Sequence, residues 1–422
     1  MKRADALGAL LLAALLGAAA PAGAAEYDYG DLKLDLGASL RELVVLTREP
    51  RTDDVFPGPG GTVSLRVSPS LLSQTRLRLD LQARYRERFS GQISYDNEVF
   101  TGTGRKSLAF ALADQRGFDT WIDLDRTISD THNATWQHLL YRGWARYEGD
   151  DFEVTVGRQR IALGRARLWN PTDLFNPIPP LAIEGDQRIG VDSVVARARI
   201  SGDLWASAIV APQDRDDLYR SALRLELSRR SLDAALMFGR IETDSVVGFD
   251  FATNLGDAAL RGEGTWSFHE HGGHTTQLVG SIDHTFGLGT GLYVLLEHFY
   301  NGNNVSRDAL RATLEALPPL TPDQGVRLLT QDGVIPSSQL VTVSHNQTAL
   351  NLGYDLTPLL RLDLLWIHDW EGPSEAFFPL LTWSALQSAD LSLGAQFFGG
   401  GDEEGNYGGL DPVYFVRVDV YF

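Results

Sequence analysis

Apolar and polar residues alternate along most of this chain with the period of two that a β-strand imposes. Near the C-terminus Tyr414, Val416, Val418, Val420 and Phe422 share one parity and are apolar, while Arg417 and Asp419 take the other. Leu77, Leu79, Leu81 and Tyr85 alternate with Arg76, Arg78, Arg84, Arg86 and Arg88; Ala196, Ala198 and Ile200 with Arg197 and Arg199; Leu223, Leu225 and Leu227 with Arg220 and Arg224. Such stretches recur from Leu32 to the last residue, separated by Gly, Asp, Asn and Pro, and helix-period segments are almost absent. One apolar and one wet face per strand predicts an all-β fold, a closed antiparallel transmembrane β-barrel with long outer loops.

Strands are counted on the rule that turns on one side are short and loops on the other long. Three precede Thr135, at Leu32–Leu46, Thr75–Phe89 and Gln92–Val99, with Ser90-Gly91 as a turn, and fifteen follow, from 135–147 to 412–422. The turns at Ser201-Gly202-Asp203, Arg230-Ser231, Leu255-Gly256-Asp257, Gly287-Leu288-Gly289, Thr357-Pro358 and Gln387-Ser388 all fall on one side, which gives 18 strands, with 16 as the alternative. The segment Thr101–Ala134 is a long outer loop with room for a further strand or helix around Leu108 and Trp121.

The most structured stretch is 139–188. Tyr141, Ala145 and Tyr147 alternate with Arg142, Trp144 and Arg146; Gly149-Asp150-Asp151 makes a turn; Phe152, Val154 and Val156 lead the chain back as the second arm of a hairpin. The loop at 162–187 is Pro-rich, and Asn170-Pro171-Thr172-Asp173 and Asn176-Pro177-Ile178-Pro179-Pro180 remove backbone donors and fix φ. It carries Arg165 and Arg167 at its start, with Asp186 and Arg188 at its end. Its charges need water or partners rather than lipid, so it is expected to fold inward, with Asn170, Asp173, Asn176 and Pro177 narrowing the pore. The loop at 303–340 is the longest; Ser306 would cap a helix carrying Leu310, Leu314 and Leu317, either as a lid or as plain surface. Asp402, Glu403 and Glu404 would sit on another outer loop, where acids can bridge divalent cations to lipopolysaccharide.

Residues 1–25 read as a signal peptide, with Lys2 and Arg3 before an Ala/Leu run and Ala22-Gly23-Ala24 at the cleavage site. That leaves 26–422 as one barrel domain, exported to the outer membrane of a Gram-negative bacterium. No later run reaches the roughly 18 apolar residues of a spanning helix. A terminal Phe422 after an alternating strand resembles the C-terminal signature of bacterial outer-membrane barrels, which implies recognition by the barrel-assembly machinery. The chain has no cysteine, hence neither disulfide framework nor thiolate chemistry. Its formal net charge of −18 disfavours nucleic acid as a partner.

The basic residues are almost all arginine: Lys2, Lys33 and Lys106 are the lysines among 37 basic residues. On the predicted strands the arginines oppose the apolar face, and a lipid-facing arginine costs about 2–4 kcal/mol at the midplane, so they are expected in the lumen. The candidate path is Arg78, Arg84, Arg142, Arg146, Arg158, Arg165, Arg167, Arg188, Arg197, Arg199 and Arg224. Two readings stand: a net-positive path for anions, or an interior in which Asp80, Glu87 and Glu226 neutralise the arginines. His269, Glu270, His271 and His274 crowd one outer loop, but their spacing is not a ligand pattern, and no metal or other cofactor is expected. No nucleophile elbow, phosphate-cradling loop or H-E-x-x-H motif is present, so the chain is not read as an enzyme.

The run Val156-Gly157-Arg158-Gln159-Arg160-Ile161-Ala162-Leu163-Gly164-Arg165, followed by Asn170-Pro171-Thr172-Asp173, resembles the alginate-export family of outer-membrane barrels and related porin-like families with a Gly-(Arg/Lys)-Gln strand before an Asn-Pro loop. The close match spans roughly 139–200, with Gly157, Arg158, Gln159 and Gly164 as its motif. The resemblance implies an eighteen-stranded barrel with an Arg-rich lumen passing an anionic uronate polymer. The expected function is thus a channel for an anionic saccharide or small carboxylate. A general porin or structural surface barrel is the alternative, and a barrel enzyme a third.

Overall fold

The structure is a computed structural model that describes residues 25–57, 63–107, 110, 120–177, 179–185, 187–188, 190–213, 219–241, 243–270, 272–304, 342–401 and 405–422, with backbone alone at 49–57 and 63–67. Residues 1–24 of the expected signal peptide, the Ser306 helix and nearly all of the 303–340 loop, the acids at 402–404, and Leu108, Asp186 and His271 lie outside the described residues, whereas Ala25, expected as the peptide's last residue, opens the first strand.

A short strand, β1 (Ala25–Tyr29), pairs with the start of β2 (Leu32–Pro57); β3 (Val63–Tyr85), β4 (Phe89–Thr101), β5 (Asp125–Asp130), β6 (Ala134–Glu148), β7 (Phe152–Gln159) and β8 (Val191–Arg199) follow. The rest of the wall is β9 (Leu204–Pro212), β10 (Tyr219–Arg229), β11 (Leu232–Ile241), β12 (Asp244–Leu255), β13 (Ala258–Phe268), β14 (His274–Phe286) and β15 (Leu292–Asn301). It is completed by β16 (Asn346–Thr357), β17 (Leu360–Asp369), β18 (Ser374–Leu386), β19 (Ala389–Gly399) and β20 (Val413–Tyr421). Each wall strand pairs antiparallel with the next, and β20 returns to β2 from Ser39↔Tyr421 to Leu46↔Tyr414. The backbone of Phe422 extends that pairing, its N–H donating to the Ala38 carbonyl at 2.8 Å. Leaving out β1 and β5, this closes an 18-stranded antiparallel barrel with no free sheet edge, which is what hydrocarbon requires of a β-structure.

The alternation holds around the wall. On β10 and β11, Leu223, Leu225, Leu236 and Phe238 are exposed toward lipid, while Arg224 and Met237 are buried inside. Three local features depart from the sequence reading. The β3–β4 turn is Arg86–Arg88, with Arg86 and Glu87 at φ 51° and 56°, and Ser90-Gly91 lies within β4. A register shift between Ser94↔Arg142 and Tyr95↔Leu140 makes a bulge at Tyr141, so Tyr141 joins Arg142 on the inner face rather than sharing the outer face with Ala145 and Tyr147. Among its described residues, the Thr101–Ala134 region contributes β5 and a 3₁₀ turn at Thr103–Lys106. Since β6 pairs with β7 only as far out as Gly143↔Arg158, β5 covers the outer half of the same edge, from Leu139 to Thr135.

Candidate functional site

Between β7 and β8 the chain leaves the wall and enters the barrel. Gly157 and Gly164 of the sequence motif both have positive φ, 118° and 87°. A Cβ on Gly157 would collide with the Gly143 carbonyl oxygen across the ladder, and one on Gly164 with the Glu263 carboxylate, so the motif's glycines permit close approach at the point of departure.

Glutamates on the opposite wall hold the loop. Glu297 of β15 accepts hydrogen bonds from the backbone N–H groups of Arg167, Leu168 and Trp169 at 2.9, 3.0 and 2.8 Å. Glu263 of β13 accepts from the Arg165 N–H at 2.9 Å and the Thr172 hydroxyl at 3.1 Å. Trp169 stacks on Phe299 with centroids 5.4 Å apart. Further along, Gln396 of β19 donates to the Leu181 carbonyl at 2.6 Å, and Glu184 pairs with Arg41 of β2 at 2.9 Å and Arg76 of β3 at 2.8 Å. Arg220 of β10 donates to the Phe175 carbonyl at 3.2 Å. One loop thus touches walls on several sides of the lumen. Its apolar residues Ile161, Leu174 and Phe175 pack against Ile209, Met237 and Val246.

The expected constriction residues all belong to this inward segment. Asp173 is buried, ion-paired with Arg188, and accepts from the Asn176 N–H at 3.1 Å. Asn176 accepts from the Ile161 N–H at 3.2 Å; Asn170 and Pro177 are half-buried. Burial pushes the Asp173 carboxyl up to about 6 against the pull of Arg188. Burial acts upward on Glu184 as well, but Arg76 and Arg41 outweigh it and hold that carboxyl below its ordinary range.

The candidate arginines fall into groups. Arg158 is a structural bolt, buried with Asp192 on two of its nitrogens at 2.9 and 3.0 Å and the Leu140 carbonyl at 3.1 Å. Arg224 is clamped by Asp250 at 2.6 and 3.0 Å and by Glu226 at 2.9 Å. Arg165 reaches Asp250 at 2.9 Å, and Arg167, half exposed, approaches Asp283 at 3.9 Å. Arg78 binds Asp96 through two nitrogens at 2.6 and 2.7 Å. Arg197 pairs with Glu226 at 3.0 Å and lies 4.5 Å from the Trp205 ring centroid. Arg84 with Asp35 at 3.1 Å, and Arg199 with Asp151 at 3.5 Å, sit at the short-turn end, away from the loop.

Two arginines differ. Arg142 donates to its neighbour Tyr141's carbonyl at 2.8 Å and to the Arg188 carbonyl, and Arg146 donates to the Thr155 hydroxyl at 3.0 Å. Neither has a carboxylate within ion-pairing distance among the described residues. Of the acids expected to neutralise the lumen, Glu226 does so; Asp80 accepts from the Ser94 hydroxyl and Glu87 lies in the β3–β4 turn.

Sequence reasoning missed the anchors Arg41, Arg76, Glu184, Glu263 and Glu297. It also missed an inward turn after β19, where Tyr407 donates to Gln347 at 2.7 Å, stacks on Phe398, and joins the Trp169 cluster. His269 lies 2.8 Å from Asp244, and no metal-binding group is found among the described residues.

No family model matches the chain, and no curated protein sequence matches it. Solved structures do. OccAB1 of Acinetobacter baumannii superimposes with a TM-score of 0.52 at 12% identity, covering 92% of this chain and 96% of that one. OccK5 (OpdH) of Pseudomonas aeruginosa gives 0.53 at 13%, with 92% and 98% covered. A BenF-like porin from Pseudomonas fluorescens Pf-5 gives 0.53 at 10%, again with 92% and 98% covered. The fold is that of the outer-membrane porins. At these identities the likeness concerns architecture, and the alginate-export resemblance rests on the Gly157–Gly164 motif alone.

Proposed function

We propose that the chain is an outer-membrane channel whose arginine-lined path passes small carboxylates or an anionic, uronate-bearing saccharide. The observation that carries this reading is the pair Arg142 and Arg146, which face the lumen on β6 beside Tyr141 and Trp144 and have no described carboxylate partner. A guanidinium held by carbonyl and hydroxyl oxygens rather than by a carboxylate keeps its charge for a passing anion, most accessibly at the half-buried Arg146, since Arg142 is buried. The paired arginines on either side would keep each contact weak enough to release. The porin fold of the similar structures and the inward loop support a channel; the substrate class rests on the arginines.

A general, charge-compensated porin is the second reading, favoured by the ion pairs of Arg78, Arg165, Arg188, Arg197 and Arg224. Reversal potential in a planar bilayer under a salt gradient separates the two. Anion preference despite a net charge of −18 supports the selective path, whereas cation preference or none would leave the general porin.

A further inference from the structure

Not every polar side chain of the wall points inward. On β2, Arg41 faces the lumen, so Glu42 faces out, and it accepts hydrogen bonds from the Ser73 and Thr75 hydroxyls of β3, each at 2.5 Å. On β4, Asp96 and Glu98 are buried inside, so Tyr95 and Asn97 face out. Tyr95 hydroxyl and His138 Nδ1 of β6 lie 2.6 Å apart. Leu46, Leu71, Leu77, Leu79 and Ile93, all exposed, surround this polar island.

Its depth makes it unusual. Leu46 is paired with Tyr414, an exposed aromatic at the outer end of β20, and lies four residues further out along β2 than Glu42. At about 3.3 Å per residue and a tilt of about 40°, Glu42 sits roughly 10 Å inside that level, within an apolar band about 25 Å tall. Headgroups do not reach there, and two hydroxyls cover only part of a carboxylate's acceptor capacity. Beside the island the outer wall has an open depression of about 420 Å³, lined by Leu36, Leu79, Ile93 and Tyr95 together with Ala25 of β1 and Phe422.

We propose that this face, from β2 to β6, is where a second copy of the chain packs in the membrane. The acceptor Glu42 is on one flank and the donor-bearing Asn97 and His138 toward the other, two and three strand spacings away, about 10 and 14 Å. Rotation about an axis normal to the membrane brings one copy's acceptor flank to the next copy's donor flank, and the hollow receives a side chain from the partner. An acyl chain would fill the hollow but leave the carboxylate unmatched.

The absence of cysteine makes the test clean. Leu40→Cys with Leu140→Cys places one thiol on each flank, too far apart for a disulfide within one chain. Oxidation in native outer membranes should give species at multiples of the chain mass. A control pair on the opposite wall, Leu225→Cys with Phe249→Cys, should give none. Adding Glu42→Leu and Thr75→Val to the first pair should abolish cross-linking while the slower or faster migration of the unboiled barrel is retained. Equal cross-linking in the control pair, none in either pair, adducts with a different protein, or cross-linking that survives Glu42→Leu with Thr75→Val would each overturn the proposal.

Discussion

The Arg78 guanidinium lies 3.5 Å from the centroid of the Tyr141 ring, and Arg142 lies 4.1 Å from the same ring. Tyr141 is in the lumen only because of the bulge opposite Tyr95, which turns two consecutive β6 side chains inward. Cation–π contacts fix both guanidinium planes at a cost of little charge, since Arg78 also holds Asp96 while Arg142 holds only carbonyls.

Replacing Arg142 and Arg146 together with Gln is therefore expected to shift the reversal potential away from anions, more than the double change Arg224→Gln with Asp250→Asn, which removes an ion pair without changing the net charge of the lumen. The wild-type preference should also weaken with salt, because the Debye length falls from about 10 Å at 0.1 M to about 3 Å at 1 M. A reversal potential indifferent to the Arg142 and Arg146 change would remove the selective path.

The closed wall predicts resistance to unfolding. Unboiled protein in dodecyl sulfate should migrate differently from boiled protein, because no strand edge is free from which the sheet can unravel. Identical mobility before and after boiling would contradict closure between β2 and β20.

The inward loop is held by contacts that a few substitutions remove. Trp169→Ala deletes a buried side chain and its stack on Phe299, a change of about 3–5 kcal/mol in a well-packed core. The barrel outlasts that loss because its ladder hydrogen bonds are elsewhere, so the expected result is a noisier open channel with intact gel migration. Shortening the segment across Asn170 to Pro180 should raise single-channel conductance; an unchanged conductance would put the constriction elsewhere.

Much of this architecture was legible from alternation, since lipid outside and water inside impose the period of two on every wall strand. What was not legible depends on register. With the β3–β4 turn at Arg86–Arg88, Arg78 stands directly opposite Asp96 and Arg76 opposite Glu98. A turn placed four residues later, where Ser90-Gly91 is the more usual turn sequence, hides both pairs. The glutamates that seat the loop were beyond reach for a different reason: Glu263 is 98 residues and Glu297 at least 128 residues from the amides they bind, and within their own strands they read as ordinary lumen charges. The inward position of 162–187 could be argued from its prolines and charges, but not which wall would receive it.

Asp173 makes the channel's selectivity depend on pH. Its carboxyl titrates at about 6 in the folded protein against roughly 4 in an unfolded chain, so the folded state binds the proton more tightly. Protonation thus adds stability to the loop's seat as pH falls from about 6 to about 4, and that contribution is lost as pH rises through the same window. The same proton removes the negative partner of Arg188 and leaves a guanidinium uncompensated beside the loop. Anion preference should therefore increase as pH is lowered through about 6. Asp173→Asn should show the raised preference already at neutral pH and lack that step, because its amide carries no charge to lose. Reversal potentials of both proteins from pH 7 to pH 4 decide the matter: a step of equal size in Asp173→Asn would assign the titration to another carboxylate.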